Sequence, residues 1–157
     1  MKALKIFFIA LAAASAPMTA AFADEPRIFV ASTSQYAVSS YDPVADFTVG
    51  APTRGSDQWV ATYQGARYRF ASQANRDAFV ASPARYAPQY GGSCALAVSQ
   101  GYVARWRPEN WRIVNGRLYL NLDDGVQRRW ERDIPGNISR GDANWPTALG
   151  DFRGPRQ

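Results

Sequence analysis

Residues 112–122, Arg-Ile-Val-Asn-Gly-Arg-Leu-Tyr-Leu-Asn-Leu, contain the clearest fold signal of the chain. Two apolar stretches flank Asn115 and Gly116, and an Asn-Gly pair readily adopts the positive φ angles of a type I′ turn. The stretch therefore predicts a β-hairpin. Asp123 follows at once and can cap a helix, with Asp124 in the first turn and basic residues toward the end, as the helix dipole prefers.

A similar pattern lies earlier in the chain. Residues 59–63 and 67–70 both alternate in polarity, Gln64 and Gly65 can form the turn between them, and Ser72 can cap a following helix. A shift of 51 residues brings Gly65 onto Gly116. Asp42 followed by Pro43 predicts one more short helix, and residues 137–145 predict a last one closed by Pro146. We expect a small single domain of the α+β class, with two β-hairpins each followed by a helix, plus short helices.

Composition excludes several classes of function. The chain has 157 residues, no histidine and a net charge of +5. Without histidine there can be no Ser-His-Asp or Cys-His catalytic pair. The positive charges are spread along the chain, whereas a nucleic-acid interface needs a clustered basic stripe. We therefore expect no nucleic-acid partner.

The first residues have the pattern of a secretory signal. Lys2 and Lys5 precede an apolar run at residues 6–11, and Ala21 and Ala23 are small residues at the positions that a signal peptidase reads. The apolar run is too short for a permanent membrane anchor. We expect a signal peptide at 1–23, and a periplasmic or secreted protein. The predicted remainder is a flexible lead-in at 24–40, a domain at 41–147 and a C-terminal tail at 148–157.

The segment between the two hairpin patterns, residues 86–95, holds the single cysteine, Cys94. Gly91 and Gly92 allow backbone N–H groups to converge, and Ser93 can cap a helix whose first turn contains Cys94. The positive end of that helix would lower the pKa of the thiol and make it reactive. Alternatively, Cys94 is a buried structural residue, since free cysteine is often buried as a small hydrophobe.

A lone thiol cannot form an internal disulfide, so a redox cycle would need a second protein, a small thiol or a dimer. Tyr86 and Tyr90 lie close to Cys94 in the sequence. Together with arginines and tryptophans elsewhere they could line an aromatic pocket edged by arginine, or they could be ordinary core and surface residues. The other members of this set are Arg67, Arg69, Trp59, Trp106, Trp111 and Trp130.

Several ordered motifs resemble the YHS-domain family over about residues 40–147. These motifs are Tyr41-Asp42-Pro43-Val44, Tyr68-Arg69-Phe70-Ala71-Ser72, Pro83-Ala84-Arg85-Tyr86, Gly91-Gly92-Ser93-Cys94-Ala95 and Asp142-Ala143-Asn144-Trp145-Pro146. The last two are similar to the secreted branch of the family, in which some proteins carry selenocysteine at the position of Cys94. The resemblance implies that Cys94 is a redox or nucleophilic group.

The resemblance also implies a test for metal binding. YHS domains occur beside copper-transporting ATPases, where three cysteines are thought to hold metal. Ala45, Ala71 and Asn75 stand at those three positions here. A soft metal prefers thiolate, thioether or imidazole ligands, so we assign no metal-binding residue and no cofactor.

Two functions of different classes remain. The first is thiol-based redox chemistry or ligand capture, with Cys94 as the candidate catalytic thiol and Gly91, Gly92, Ser93, Tyr86 and Tyr90 as the ligand-binding residues. Its partner would be a small molecule or a thiol protein. The second is a non-catalytic accessory or binding module in copper-related metal handling. A purely structural domain is a third possibility, and whether the protein is an enzyme is left open.

Overall fold

The computed structural model describes residues 36–148 of the chain. The predicted signal peptide, residues 24–35 of the predicted lead-in and residues 149–157 of the predicted tail lie outside the described residues. The rest of the lead-in belongs to the fold, because Ala37 and Val38 are buried in its core. The domain thus already includes Tyr36, earlier than the expected start at residue 41.

The first half of the fold follows the predicted order of helix, hairpin and helix. The carboxylate of Asp42 caps the first helix, the side chain of Ser72 caps the second, and Gln64 and Gly65 form the hairpin turn with positive φ angles of 47° and 77°. Its elements are α1 (Pro43–Thr48), β1 (Ser56–Tyr63), β2 (Ala66–Phe70), α2 (Gln73–Ala81) and α3 (Pro83–Tyr86).

The second half repeats this order. Asn115 and Gly116 form the predicted turn with φ angles of 51° and 74°, and Asp123 accepts a hydrogen bond from the N–H of Val126 to cap the following helix. Its elements are α4 (Ala95–Ser99), β3 (Trp111–Val114), β4 (Arg117–Leu120), α5 (Asp124–Glu131) and α6 (Ile134–Ala148). Helices and two antiparallel hairpins in one chain confirm the predicted α+β class.

Each half is preceded by an unusual left-handed turn. Val38, Ser39 and Ser40 have φ angles of 45°, 49° and 70° in the first turn, Ala37–Ser40. In the second turn, Gln89–Gly92, the φ angles of residues 90–92 are 54°, 57° and 82°. A hydrogen bond of 2.9 Å closes each turn. The N–H of Tyr41 donates to the carbonyl oxygen of Val38 in the first, and the N–H of Ser93 donates to that of Tyr90 in the second. The described chain is therefore a tandem of two structurally related repeats. This agrees with the shift of 51 residues that brings Gly65 onto Gly116.

Two hydrophobic clusters form the core, and β4 lies between them. Leu118 and Leu120 pack into the cluster of the first repeat, with Tyr68, Phe70 and Phe79. Tyr119, on the opposite face of the same strand, packs into the cluster of the second repeat. Because side chains alternate along a strand, β4 buries both of its faces and joins the two repeats.

The last helix is longer than predicted. α6 begins at Ile134 and ends at Ala148, whereas the sequence predicts residues 137–145. Asp133 accepts a hydrogen bond from the N–H of Gly136 at its start. Near its end, the side chain of Asn144 donates to the carbonyl oxygens of Val98 and Ser99. The helix thus continues past Pro146, which was expected to close it, and the side chain of Asn144 attaches it to α4.

No helix in the described part of the chain combines the length and the apolar character that a membrane span requires.

Candidate functional site

Cys94 is buried, with a relative exposure of 2%. It is the residue immediately before α4 and does not lie in the first turn of that helix. Its Sγ lies 3.8 Å from Oδ1 of Asn121, and the N–H of Leu96 donates to the same oxygen over 3.3 Å. The surroundings of the sulfur are Ala95, Leu96, Ala97, Val98, Tyr119 and Trp130.

The predicted lowering of the pKa of the Cys94 thiol is wrong. Burial raises this pKa above its ordinary value, because the thiolate would lose its hydration. Backbone N–H groups of Ala97, Leu122 and Leu96 lie where they favour the thiolate, but they only partly offset burial. α4 has five residues, so its dipole is short. A solvent-accessible, activated nucleophile is therefore not what the structure presents.

The place of Cys94 in the repeat explains its burial. Asp42 is its counterpart in the first repeat, since each residue follows a left-handed turn and precedes a short helix. Asp42 accepts hydrogen bonds from the backbone N–H groups of residues 44, 45 and 71. The N–H groups near Sγ of Cys94 belong to residues 96, 97 and 122, the corresponding positions. Cys94 thus occupies a structural capping position inside the second repeat.

Ser93 does not cap α4, contrary to the prediction. Its Oγ donates to the carbonyl oxygen of Ala104 over 3.2 Å and accepts from the N–H of Ala104 over 3.1 Å. The hydroxyl of Ser93 therefore uses both its donor and its acceptor function to hold Ala104, in the connection between α4 and β3. Ser93 and Gly92 are both buried in the folded chain.

The three positions implied by the resemblance to hold metal come together around Asp42. The carboxylate of Asp42 accepts from the N–H of Ala45 at 3.3 Å, from the N–H of Ala71 at 2.8 Å and from the side-chain amide of Asn75 at 2.7 Å. A further N–H, from Val44, completes the set at 2.9 Å. All four groups are hydrogen-bond donors and none is a metal ligand, so this donor set does not fit a soft metal ion.

Within residues 36–148 there is also no group of three or more His, Cys, Asp or Glu side chains that could hold a metal ion. The one carboxyl group close to Asp42 is that of Asp46. Burial, followed by repulsion from Asp42, raises the pKa of Asp46 to about 7. The carboxyl of Asp46 is therefore largely protonated below neutral pH.

An open cleft lies where the two repeats meet, and we name it the junction cleft. Its volume is about 430 Å³. Its chemical character comes from three of its aromatic lining residues and the cation of Arg117. Tyr63 and Trp145 are half-buried, and Tyr90 is buried. The remaining lining residues are Gln64, Tyr68, Ala84, Ala87, Pro88, Gln89 and Gly91.

Tyr90 is held rigidly at this cleft. Its backbone is left-handed, and its hydroxyl donates to Oδ1 of Asp142 at 3.0 Å and to the carbonyl oxygen of Ile138 at 3.2 Å. Its ring packs against those of Tyr119 and Trp145, at centroid distances of 5.8 and 5.9 Å. Burial and the bond to Asp142 raise the pKa of the Tyr90 hydroxyl, so it stays protonated.

Of the predicted ligand-binding residues, Tyr90 and Gly91 line the junction cleft. Tyr86 instead packs edge to face on Phe47, at 5.2 Å between ring centroids. The arginines and tryptophans that the sequence suggested as possible pocket residues do not line this cleft, whereas Arg117 and Trp145 do. Sequence reasoning missed these two because they lie in β4 and α6, far along the chain from Tyr90, and only the packing of these elements brings them to it.

Comparison with known proteins gives one match. No curated protein and no solved structure matches the chain. The family model for the YHS domain matches residues 44–90, which run from α1 to the second left-handed turn. A YHS domain is therefore present in this chain at residues 44–90.

Proposed function

We propose that this protein is an exported, non-catalytic binding module that captures a small ligand in the junction cleft. The ligand-capture half of the sequence hypothesis is retained, and the redox half is not. A buried thiol with a raised pKa is a poor nucleophile. The cleft, in contrast, is a concave surface that brings aromatic side chains, polar side chains and the cation of Arg117 together.

The observation that supports this proposal best is the pairing of a rigid aromatic wall with an arginine. Trp145 is half-buried at the cleft, the buried ring of Tyr90 packs against it, and Arg117 adds a positive charge. Arg117 has no carboxylate within ion-pair distance among residues 36–148, and it interacts with the hydroxyl of Tyr119. A guanidinium binds carboxylates in a planar, two-pronged manner. We infer that the ligand is a small planar molecule with an anionic group.

The export of the protein is part of the same proposal. The basic and apolar pattern of residues 1–23 and the similarity of residues 91–95 to the secreted branch of the YHS family support it. Mass spectrometry of the mature protein from the periplasm or medium tests it directly. A chain that begins at Asp24 is the expected result.

Metal handling is the second candidate, because YHS domains are associated with copper-related proteins. The donor set around Asp42 argues against it for this chain, since the carboxylate is already bound to four N–H groups. Elemental analysis of the purified protein separates the two candidates. Stoichiometric copper that is lost in Cys94→Ser would favour metal handling over ligand capture.

The binding test uses benzoate as the probe and NMR amide shifts as the readout. We expect saturable shifts at Gly91, Arg117 and Trp145. Arg117→Gln should weaken binding by about tenfold, the loss expected for one charge-assisted hydrogen bond. The matched control Arg128→Gln removes an exposed arginine of α5 and should leave binding unchanged.

Cys94→Ser should also bind benzoate as the natural protein does, because Cys94 does not line the cleft. Two results would contradict the proposal: shifts that fail to saturate or that lie away from the cleft, and equal loss of binding in Arg117→Gln and Arg128→Gln. Loss of binding in Cys94→Ser with an unchanged amide spectrum would instead restore the thiol as a site residue.

A further inference from the structure

A second cleft lies on the outer side of the second repeat, and we name it the outer cleft. Its volume is about 540 Å³. Its floor is apolar, with Val114, Ile134, Pro135 and Ile138, and its polar lining consists of Asn115, Ser139 and Asp142. None of these residues lines the junction cleft.

The outer cleft is the repeat counterpart of the junction cleft. The junction cleft is bounded by the end of β1, the turn after it and α3. The outer cleft is bounded by the end of β3, the turn after it and α6. Under the shift of 51 residues the lining positions correspond in pairs: Tyr63 with Val114, Gln64 with Asn115, Ala84 with Pro135, Ala87 with Ile138, Pro88 with Ser139 and Gly91 with Asp142. The repeated order of elements thus forms a similar concave surface twice in the molecule.

The two clefts differ in charge. The junction cleft contains the cation of Arg117 and no carboxylate, whereas the outer cleft contains the carboxylate of Asp142 and no cation. Oδ1 of Asp142 accepts the hydrogen bond from Tyr90, which fixes the side chain at the cleft. Within the described residues no hydrogen bond or ion pair involves Oδ2 of Asp142.

We propose that the outer cleft is a second binding site, which takes a small organic cation with an apolar body. The ammonium group pairs with Asp142, and the hydrocarbon part lies on the aliphatic floor that Ile134, Pro135 and Ile138 form. Charge complementarity favours this class over an anion, and burial of the apolar part on the aliphatic floor adds to the affinity. Asn115 and Ser139 supply polar groups at the rim.

The test uses the phenethylammonium ion as the probe and NMR amide shifts of the full folded chain as the readout. We expect saturable shifts at Asn115, Ser139 and Asp142. Phenylethanol has the same body without the charge and should bind at least about tenfold more weakly. Asp142→Asn should lower the affinity for the cation by a similar factor, because its amide oxygen still accepts from Tyr90 while the charge is removed.

Two further variants make the result decisive. Ser139→Phe, at an exposed position of α6, should block the cleft and abolish the shifts without altering the core. Asp77→Asn removes an exposed carboxylate of the first repeat and should change nothing. Equal binding of phenethylammonium and phenylethanol, or binding unchanged in both Asp142→Asn and Ser139→Phe, would overturn the proposal. Benzoate binding in the junction cleft does not depend on this outcome, so the two proposals fail separately.

Discussion

Asp42 and Cys94 show how two equivalent positions of a duplicated fold have acquired different chemistry. Both follow a left-handed turn and both face backbone N–H groups of the next helix and of the residue after the hairpin. The carboxylate of Asp42 gains four strong hydrogen bonds there, whereas the thiol of Cys94 gains weak ones and sheds water. The equivalent position therefore holds a carboxyl side chain in one repeat and a thiol side chain in the other.

Asp46, one turn along α1 from Asp42, makes the stability of the protein depend on pH. The pKa of its carboxyl is 3.8 in the unfolded chain and about 7 in the folded one. Between these values the folded chain binds more protons, so stability falls as the pH rises from about 4 to about 7. Asp46→Asn should remove this loss and be more stable than the natural protein at pH 8, by on the order of 2 kcal/mol after discounting for partial exposure.

Urea unfolding at pH 4, 6 and 8 measures the effect. The difference between Asp46→Asn and the natural protein should shrink toward zero at pH 4, where both side chains are neutral. Asp77→Asn, at an exposed position of α2, is the control and should show no such trend. A difference that stays constant across the three pH values would exclude a raised pKa at Asp46.

At the scale of elements, the close approach of α6 to the second left-handed turn controls the position of Tyr90. A Cβ atom at Gly141 would lie 2.5 Å from the Tyr90 hydroxyl oxygen, which is closer than atoms can pack. Glycine inside a helix normally costs about 1 kcal/mol relative to alanine. At residue 141 the Tyr90 side chain leaves no room for a Cβ atom, and this steric requirement outweighs the helix propensity that favours alanine.

Gly141→Ala should therefore destabilise the protein by about 1–2 kcal/mol, although alanine is the better helix former. Thermal or urea unfolding measures the change in the free energy of unfolding. Ala143→Gly, at an exposed position of the same helix, measures the difference in helix propensity between alanine and glycine alone. In a Tyr90→Ala background the clash is gone, so Gly141→Ala should become stabilising. A stabilising effect in the natural background would show that the helix and Tyr90 can separate at no cost.

The elements also show where sequence reasoning reached its limit. Capping by Asp42, Ser72 and Asp123 and the turn at Asn115 are local signals, because donor, acceptor and backbone preference lie within four residues. The left-handed turn at Val38 has no such signal, since a β-branched residue disfavours positive φ. Packing of this segment against β2 maintains the turn, and sequence alone does not contain that information.

At the scale of the whole molecule, β4 unites the two repeats. Leu118 and Leu120 belong to one hydrophobic cluster and Tyr119 to the other. β4, which the sequence predicts only as one strand of a hairpin, therefore contributes one face to each of the two hydrophobic cores. The hairpins and helices were predictable from the sequence. A buried Cys94 was one of the two alternatives that the sequence left open, and the composition of both clefts, which depends on packing, was not predictable.

Because β4 belongs to both hydrophobic cores, we expect the two repeats to unfold in a single cooperative transition. Leu118→Ala should destabilise the molecule by about 3 kcal/mol, because it removes a fully buried side chain. Amide hydrogen exchange should show the loss equally in the β1–β2 hairpin and in α5, which lie in different repeats. Exchange that accelerates in only one of the two places would show that the repeats unfold separately. The exposed substitution Arg128→Gln should accelerate neither.

The enclosed position of Cys94 protects its sulfur from oxidants. A lone thiol on the surface can cross-link two chains or react with dissolved peroxide. Because the sulfur is buried in the core of a cooperative unit, only unfolding of the chain would make the cysteine available for these reactions.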